Sequence, residues 1–348
     1  MASVRVVLFG LGPIGKAVGK LALSRGNLEL VGGIDVAPEL NGADLGECLG
    51  AEATPGLRVS ADAERLLTEA RPDVVLHCTQ SAVARVAPQL KTIIASGASV
   101  VSTCEELAFP WHADGALVAD LDKLARERGV SVLGTGVNPG YAMDVLPLVL
   151  SAASQRVDHV SVERVQDAGR RRLPLMLKVG VGISTEEFES RRATIGHIGL
   201  PESVYLVADG LGWKLDHTER TLEPVIAKKP ARFGEIWVEP GRVLGVHETV
   251  RAFVGRTERI VLDLRMYAGA PDPHDAVAIT GLPDLRLRVD GLHGDIVTAA
   301  VAVNAVTAVL RARPGLLTMR DVPLVSACVG VPQSSRADRE TAYTSFSD

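Results

Sequence analysis

A glycine-rich turn near the start of the chain constrains its fold more than any other feature. Residues 6–15 read VVLFGLGPIG, and Asp35 follows twenty residues after Gly15. An apolar run that favours a strand enters the turn, and a helical pattern over residues 16–23 leaves it. A strand, a G-x-G-x-x-G turn, a helix and a later acid together predict a dinucleotide-binding unit. The alternative is a glycine-rich turn that binds no ligand.

In this interpretation the turn residues have separate tasks. Gly10 allows the tight turn, Gly12 lets a pyrophosphate approach the backbone, and Gly15 lets the helix pack close to the strand. The free N–H groups at the start of the helix hold the phosphates. The predicted cofactor-binding residues are Gly10, Leu11, Gly12, Pro13, Ile14, Asp35, Thr79, Gln80, Thr103 and Asn138.

Asp35 bears on the choice of cofactor. It ends a predicted second strand over residues 28–34. A carboxylate there accepts hydrogen bonds from the ribose hydroxyls of NAD and repels the 2′-phosphate of NADP. Val36 and Ala37 follow, so no cation stands beside Asp35 to bind that phosphate. The sequence therefore predicts NAD and leaves NADP open as a second cofactor.

Size, charge and cysteine spacing exclude several classes of protein. A chain of 348 residues suggests two domains, and a net charge of −5 argues against nucleic-acid binding. The longest apolar stretch, residues 297–310, is interrupted by polar residues and is too short to cross a membrane. Without a recognisable signal peptide, we expect a cytoplasmic protein. The four cysteines are Cys48, Cys78, Cys104 and Cys328. Because their spacing fits neither a metal site nor a disulfide framework, we predict neither.

The first part of the chain alternates strand and helix patterns, which predicts an α/β fold with a doubly wound parallel Rossmann sheet. The predicted strands lie at residues 4–9, 28–34, 73–78, 98–102 and 130–133. Helical patterns include residues 85–95 and 115–128. Because ligands bind beyond the carboxyl ends of such strands, we expect the segments 77–81, 102–106 and 134–140 to face the cofactor.

A second pattern begins after residue 137. Runs typical of strands recur without regular helices between them, at residues 159–165, 234–238, 249–255, 259–267, 276–280 and 285–289. They predict a second α+β domain on a mixed, largely antiparallel sheet. We expect a dinucleotide-binding domain of residues 1–137 that is completed by residues 295–333. A substrate and dimerisation domain of residues 138–294 lies between these two parts, and a tail of residues 334–348 follows. The final helix of the first domain is predicted to have Asp295 as its N-cap.

Several longer motifs resemble one enzyme family. They are STCEELAFPW at residues 102–111, GVNPG at 136–140, GHIGLPES at 196–203, HGD at 293–295 and the segment 314–319. Together with the glycine turn they resemble the 2,4-diaminopentanoate dehydrogenases and the native amine dehydrogenases, within the wider dihydrodipicolinate reductase-like group. The resemblance runs from about residue 4 to residue 330, and STCEELAFPW is its most specific part.

This resemblance implies a Rossmann domain, a substrate domain, a homodimer, and NAD(P)-dependent interconversion of amine and ketone with ammonia. Residues 163–172 lack the His-His-x-x-Lys and DAPSGTA signatures of dihydrodipicolinate reductases. The sequence therefore argues against reduction of dihydrodipicolinate itself.

Glu105 is the predicted catalytic residue. It follows the strand 98–102 at its carboxyl end, and the resembling position of the amine dehydrogenases holds the catalytic Glu. Ammonia arrives mostly as ammonium, and only the deprotonated amine attacks a carbonyl. We expect a carboxylate with a raised pKa in an apolar pocket to take that proton. Without the resemblance, an acidic pair such as Glu105-Glu106 would be typical of a solvated helix start.

Other candidate residues have two interpretations each. Asn138 either binds the nicotinamide carboxamide or serves the turn, and Tyr141 either lines the substrate pocket or belongs to the core. A substrate carboxylate has two candidate partners, Arg164 or a residue of the basic run 170–172, and that run is otherwise typical of a solvated loop. His197 in the GHIG motif is either a pocket residue or a structural histidine.

The sequence thus predicts an amine dehydrogenase that reduces small ketones or aldehydes with ammonia and catalyses the reverse oxidative deamination. A 2,4-diaminopentanoate-type amino acid dehydrogenase is the first alternative. A non-catalytic NAD(P)-binding redox sensor, which would not need Glu105, is the second.

Overall fold

A computed structural model describes residues 3–50, 56–112 and 114–327. These residues divide into two compact units. The first unit runs up to Tyr141 and resumes at His293, and the second unit extends from Ala142 to Leu292. Cys328, residues 328–333 of the predicted first domain and the predicted tail 334–348 lie outside the described residues.

In chain order the strands are β1 (Val4–Phe9), β2 (Leu28–Ile34), β3 (Val59–Ser60), β4 (Val74–His77), β5 (Ser99–Ser102), β6 (Ser131–Gly134), β7 (Arg156–Asp167), β8 (His217–Ile226), β9 (Ala231–Phe233), β10 (Ile236–Val238), β11 (Val243–Val254), β12 (Thr257–Tyr267), β13 (His274–Leu282), β14 (Leu285–Asp290) and β15 (Gly315–Leu317). The α-helices are α1 (Pro13–Leu23), α2 (Leu45–Leu49), α3 (Ala63–Ala70), α4 (Val83–Ala95), α5 (Gly115–Arg128), α6 (Val145–Ser151), α7 (Leu173–Lys178), α8 (Thr185–Arg191), α9 (Leu200–Gly210) and α10 (Gly294–Val309). Short 3₁₀ turns occupy Pro38–Leu40, Glu105–Ala108, Pro110–His112 and Ala168–Arg170.

The first unit is a parallel sheet with strand order β15-β6-β5-β4-β1-β2-β3. From β3 to β6 this is the doubly wound order, in which the direction of winding reverses between β1 and β4. The predicted fold class is confirmed. Helices α1 and α10 pack together, and α4 packs on α5.

Strand β1 shows why this sheet forms. Its last four residues, all apolar, are buried on both faces, which is the pattern of a strand covered by helices on each side. Val7 and Phe9 join the core cluster formed with α3, α4 and α5, whereas Leu8 points to Gly19 of α1. Burying side chains of this size contributes about 1.5–3 kcal/mol each.

The second unit contains a sheet of order β14-β13-β7-β12-β11-β8 and a separate ladder of β9 with β10. In the larger sheet, β7 pairs with β12 in parallel, and the other neighbours are antiparallel. The predicted mixed, largely antiparallel sheet is confirmed. Among the described residues, no helix combines the length and the apolar character that crossing a bilayer requires.

The structure differs from the sequence-based expectations in three local respects. Helices α7, α8 and α9 occupy a region predicted to hold strands without regular helices. Four strands have no counterpart among the predicted ones: β3, β8, β9 and β15. Helix α10 begins at Gly294 after His293 as N-cap. Asp295 therefore lies inside the first turn and is not the N-cap, although its negative charge still interacts favourably with the helix dipole.

Candidate active site

The register of the first sheet brings the predicted cofactor loops together. Phe9, the last residue of β1, pairs with Ile34 and with His77. His77 pairs with Ser102, and Ser102 pairs with Gly134. The loops after β1, β2, β4, β5 and β6 therefore leave the sheet side by side at its carboxyl edge. Such an edge, at a point where winding reverses, is where ligands bind in open α/β sheets.

The glycine turn is held tightly against the sheet. Gly10 has φ +97°, and a Cβ there would lie 2.4 Å from the carbonyl oxygen of Cys78. A Cβ on Gly15 would lie 1.8 Å from the Gly10 oxygen. Pro13 is the first residue of α1, a position where a missing N–H is tolerated. Gly10 and Gly15 are thus required by the turn itself.

Gly12 has no such requirement. Its backbone angles, φ −64° and ψ 179°, suit any residue. A Cβ built on it meets no protein atom within 4 Å. The space above Gly12, at the N-terminus of α1, is therefore open. This space and the backbone N–H groups beside it fit the pyrophosphate of a dinucleotide.

Asp35 has a contact that sequence reasoning missed. Its Oδ2 accepts a hydrogen bond of 2.6 Å from the N–H of Leu11, and its Oδ1 accepts one of 2.9 Å from Ala37. The carboxylate therefore ties the end of β2 to the glycine turn. A carboxylate has about four acceptor sites, so capacity for ribose hydroxyls remains.

The two acids after β5 differ in their surroundings. Glu105 opens the 3₁₀ turn Glu105–Ala108, is half-buried, and has its Oε2 shielded from solvent. Glu106 accepts a hydrogen bond of 2.6 Å from the N–H of Val83, at the start of α4. The carboxylate of Glu106 thus stabilises a helix terminus, where a negative charge is favourable.

Two buried thiols beside these loops are chemically quiet. Burial raises the pKa of Cys78 to about 12. Burial, reinforced by the nearby charges of Glu106 and Glu105, also raises the pKa of Cys104 to about 12. The Cys104 thiol donates to the carbonyl oxygen of Ser81 at 3.0 Å. Both cysteines stay protonated at neutral pH, so neither is a ready nucleophile.

A buried histidine, His77, lies between the predicted cofactor loops. Its Nδ1 is 2.8 Å from the Ser102 hydroxyl, and its Nε2 is 2.9 Å from Gln89 Oε1 and from Thr79 Oγ1. Burial lowers the pKa of His77 to about 4. Sequence reasoning assigned no role to it, and the only signal was a polar residue that closes an apolar strand.

The remaining predicted residues of the first unit lie on the same edge or directly after it. Thr103 follows β5, and its N–H donates to the carbonyl oxygen of His77 at 2.9 Å. Gln80 is exposed beside Arg85. Asn138 is buried, and Tyr141 is half-buried after the same loop.

Arg164 lies in the second unit, on β7. It is 2% exposed, and its Nη1 is paired with the carboxylate of Asp275 on β13. Its Nη2 donates to the carbonyl oxygen of Leu292 at 3.1 Å. This pairing favours a structural role over the predicted contact with a substrate carboxylate, because an Arg that left Asp275 would strand a buried charge. Arg170 is largely exposed, and its Nε lies 3.4 Å from Oδ2 of Asp167. This exposure is what a solvated basic run predicts.

His197 also belongs to the second unit. Its backbone N–H donates to Oε2 of Glu248 at 2.9 Å. Glu248 is fully buried on β11 and accepts a second hydrogen bond of 2.7 Å from Arg220. The GHIG motif is therefore anchored by an acid about fifty residues away, which no local pattern could reveal. No group of three or more His, Cys, Asp or Glu in the described ranges is arranged to hold a metal ion.

Two family models match this chain. The model of the C-terminal domain of 2,4-diaminopentanoate dehydrogenase matches residues 141–338. The model of the N-terminus of dihydrodipicolinate reductase matches residues 4–104.

Similar proteins span nearly the whole chain. A 2,4-diaminopentanoate dehydrogenase of Acetoanaerobium sticklandii is 31% identical, over 95% of this chain and 96% of that protein. An amine dehydrogenase of Streptomyces virginiae is 25% identical, over 92% and 96%. The solved structure of an amine dehydrogenase from Mycobacterium smegmatis superposes with a TM-score of 0.83 at 24% identity, over 93% of this chain and 97% of that one, which supports the fold.

Proposed function

This chain belongs to the 2,4-diaminopentanoate dehydrogenase family, and from that premise we propose that it is an NAD-dependent amine dehydrogenase. It is an oxidoreductase of the CH–NH₂ group that uses a nicotinamide cofactor. The proposed reaction converts a small ketone or aldehyde and ammonia to a primary amine, and its reverse oxidises the amine. The observation that carries the proposal is the position of Glu105, on a loop of the sheet edge that also bears the glycine turn.

The residues of the first unit fit a dinucleotide. The open space at Gly12 suits a pyrophosphate, and Asp35 suits an adenosine ribose. The negative charge of Asp35 supports NAD over NADP, since a 2′-phosphate would meet a carboxylate. When bound, the nicotinamide supplies or accepts the hydride.

Glu105 is the proposed proton carrier. As a carboxylate it takes a proton from ammonium, and the ammonia so formed attacks the carbonyl carbon. The carboxylic acid then returns that proton to the hydroxyl of the carbinolamine, which leaves as water. The restored negative charge of Glu105 stabilises the iminium cation left on the substrate.

Identity to the relative from Acetoanaerobium sticklandii favours one alternative substrate, 2,4-diaminopentanoate itself. That substrate carries a carboxylate, whereas a simple amine does not. The pairing of Arg164 with Asp275 supports the simple amine, because one of the two predicted carboxylate partners is already engaged. The proposed homodimer and cytoplasmic location rest on the family resemblance and the sequence.

A single set of assays with purified protein separates these functions. NADH or NADPH is incubated with ammonium and a panel of short neutral ketones, and NAD⁺ is incubated with 2,4-diaminopentanoate. Ammonium-dependent oxidation of NADH with neutral ketones is the expected result. Turnover of 2,4-diaminopentanoate alone would support the alternative, and binding of NADH without any turnover would support the redox sensor.

A further inference from the structure

The hydrogen bonds around His77 determine where its proton lies. Gln89 Oε1 accepts from the Thr79 hydroxyl at 2.8 Å and lies 2.9 Å from His77 Nε2. With the Gln89 amide oxygen facing the ring, as it does here, this oxygen can only accept, and the hydrogen lies on the Nε2 atom of His77. The pKa of His77 is lowered by burial to about 4, so the ring is neutral and has one N–H only. Its Nδ1 must therefore accept a hydrogen bond, and Ser102 donates it.

Ser102 links His77 to the loop that carries the proposed catalytic acid, Glu105. With its hydrogen directed to His77, the Ser102 oxygen accepts from the N–H of Cys104 at 3.1 Å. Cys104 directly precedes Glu105. Ser102 is fully buried, so water does not compete for this hydrogen bond. One nitrogen of His77 thus restrains the backbone that carries Glu105.

The other nitrogen restrains the wall of the proposed cofactor groove. The Thr79 hydroxyl is turned inward, towards Gln89 and His77 Nε2. The Thr79 methyl group consequently lies beside the glycine turn, where a Cβ added to Gly10 would come within 3.0 Å of it. Thr79 therefore presents a methyl group to the turn, and its hydroxyl is occupied.

We propose that His77 is a positioning residue, which with its proton on Nε2 holds the Thr79 side chain through one nitrogen and the Glu105 backbone through the other. The proposal rests on the proposed function, since Thr79 and Glu105 matter only if the first unit binds a cofactor and performs the chemistry. It assigns different kinetic consequences to the two nitrogens.

Two substitutions separate the nitrogens. In His77→Asn, the amide oxygen can occupy the place of Nδ1 and accept from Ser102, but it cannot reach Gln89. In His77→Gln, the amide nitrogen can occupy the place of Nε2 and donate to Gln89, but Ser102 loses its acceptor. We expect His77→Asn to raise the Kd of NADH about tenfold and to leave kcat within about threefold, and His77→Gln to do the reverse.

Ser102→Ala tests the Glu105 side alone and has a matched control on the same strand. We expect Ser102→Ala to lower kcat about tenfold at unchanged Kd for NADH. Ser99 is also buried on β5 and also accepts a hydrogen bond from a backbone N–H, that of Ser131, but at the opposite end of the strand. Ser99→Ala should therefore keep kcat, and an equal loss of kcat in both variants would overturn the proposal.

The proton position is measured on the unaltered protein. With ¹⁵N-labelled histidine, the shifts and couplings of the His77 ring nitrogens, assigned by their loss in His77→Gln, should show the Nε2–H tautomer at pH 7. A protonated Nδ1 would overturn the proposal whatever the kinetics of the variants. Because NADH binding and the tautomer need no turnover, absence of ammonium-dependent activity in the unaltered protein would reject the proposed function without affecting these two tests. A parallel change of kcat and Kd in both His77 variants would reject the positioning role.

Discussion

Gly12→Ala adds one methyl group that should weaken cofactor binding without destabilising the fold. The backbone at Gly12, with φ −64° and ψ 179°, accepts alanine, and the added methyl group meets no protein atom within 4 Å. Since alanine has less freedom than glycine in the unfolded chain, the variant should be more stable by about 0.4–1 kcal/mol. For a chain of this size that corresponds to a Tm higher by up to about 2 °C.

The same methyl group would occupy the space assigned to the pyrophosphate. Overpacking of this kind costs about 1–3 kcal/mol, which raises the Kd of NADH by about 5–150-fold. Fluorescence titration with NADH and thermal unfolding without cofactor measure the two effects on one preparation.

Two further glycines provide controls for this experiment. Gly115 opens α5, and a Cβ there also meets no atom within 4 Å, so Gly115→Ala should leave the affinity for NADH unchanged. Gly15→Ala places a Cβ 1.8 Å from the Gly10 oxygen and should destabilise the fold. A folded Gly12→Ala protein that binds NADH as tightly as the unaltered protein would refute the assignment of this space to the cofactor.

Three other predictions concern charge and protonation. Asp35→Ala should weaken NADH binding more than NADPH binding, and equal losses in fluorescence titrations would place the ribose elsewhere. Burial lowers the pKa of His77 from 6.5 to about 4, so the unfolded state binds the extra proton. The free energy of unfolding should therefore fall by about 3 kcal/mol as the pH drops from 6.5 to 4, and urea titrations should show this fall missing in His77→Gln. In the native protein, iodoacetamide at pH 8 should label the half-buried Cys48 and spare the buried Cys78 and Cys104. Peptide mass spectrometry measures this labelling, and equal rates at all three cysteines would contradict the burial of Cys78 and Cys104.

Local patterns were sufficient for the central part of the first unit. Strands β1 and β2 and helix α5 have the predicted bounds, because a continuous apolar run or an amphipathic helix with a C-terminal glycine carries its own signal. The glycine turn and Asp35 were recognisable for the same reason. Their residues lie close together in sequence, and their spacing is set by one strand, one turn and one helix.

The missed elements lack such local signals. Strand β8 is exposed over its first five residues, so no alternation of apolar and polar side chains marks it. Its backbone is held by pairing with β11. Strand β15 has three residues and forms by parallel pairing with β6. In both cases tertiary pairing, and not propensity, determines the structure.

Contacts between distant strands explain the limits at the site. The partner of Arg164 is Asp275, and the acid that anchors His197 is Glu248. Each pair becomes adjacent only through the register of the second sheet or the loop packed against it. From the sequence alone, Arg164 is therefore a reasonable candidate to bind a substrate carboxylate. Its pairing with Asp275 shows only once the neighbouring strand is known.

The central claim, that Glu105 carries the proton in an amine dehydrogenase reaction, is tested most directly by comparing Glu105→Gln with Glu106→Gln. The second variant is a matched control, because the amide oxygen that replaces the Glu106 carboxylate can still accept from the Val83 N–H. The rate of ammonium-dependent NADH oxidation should fall at least about 100-fold in Glu105→Gln, at unchanged NADH affinity, and should persist in Glu106→Gln. Full activity in Glu105→Gln, or an equal loss in the two variants, would contradict the account.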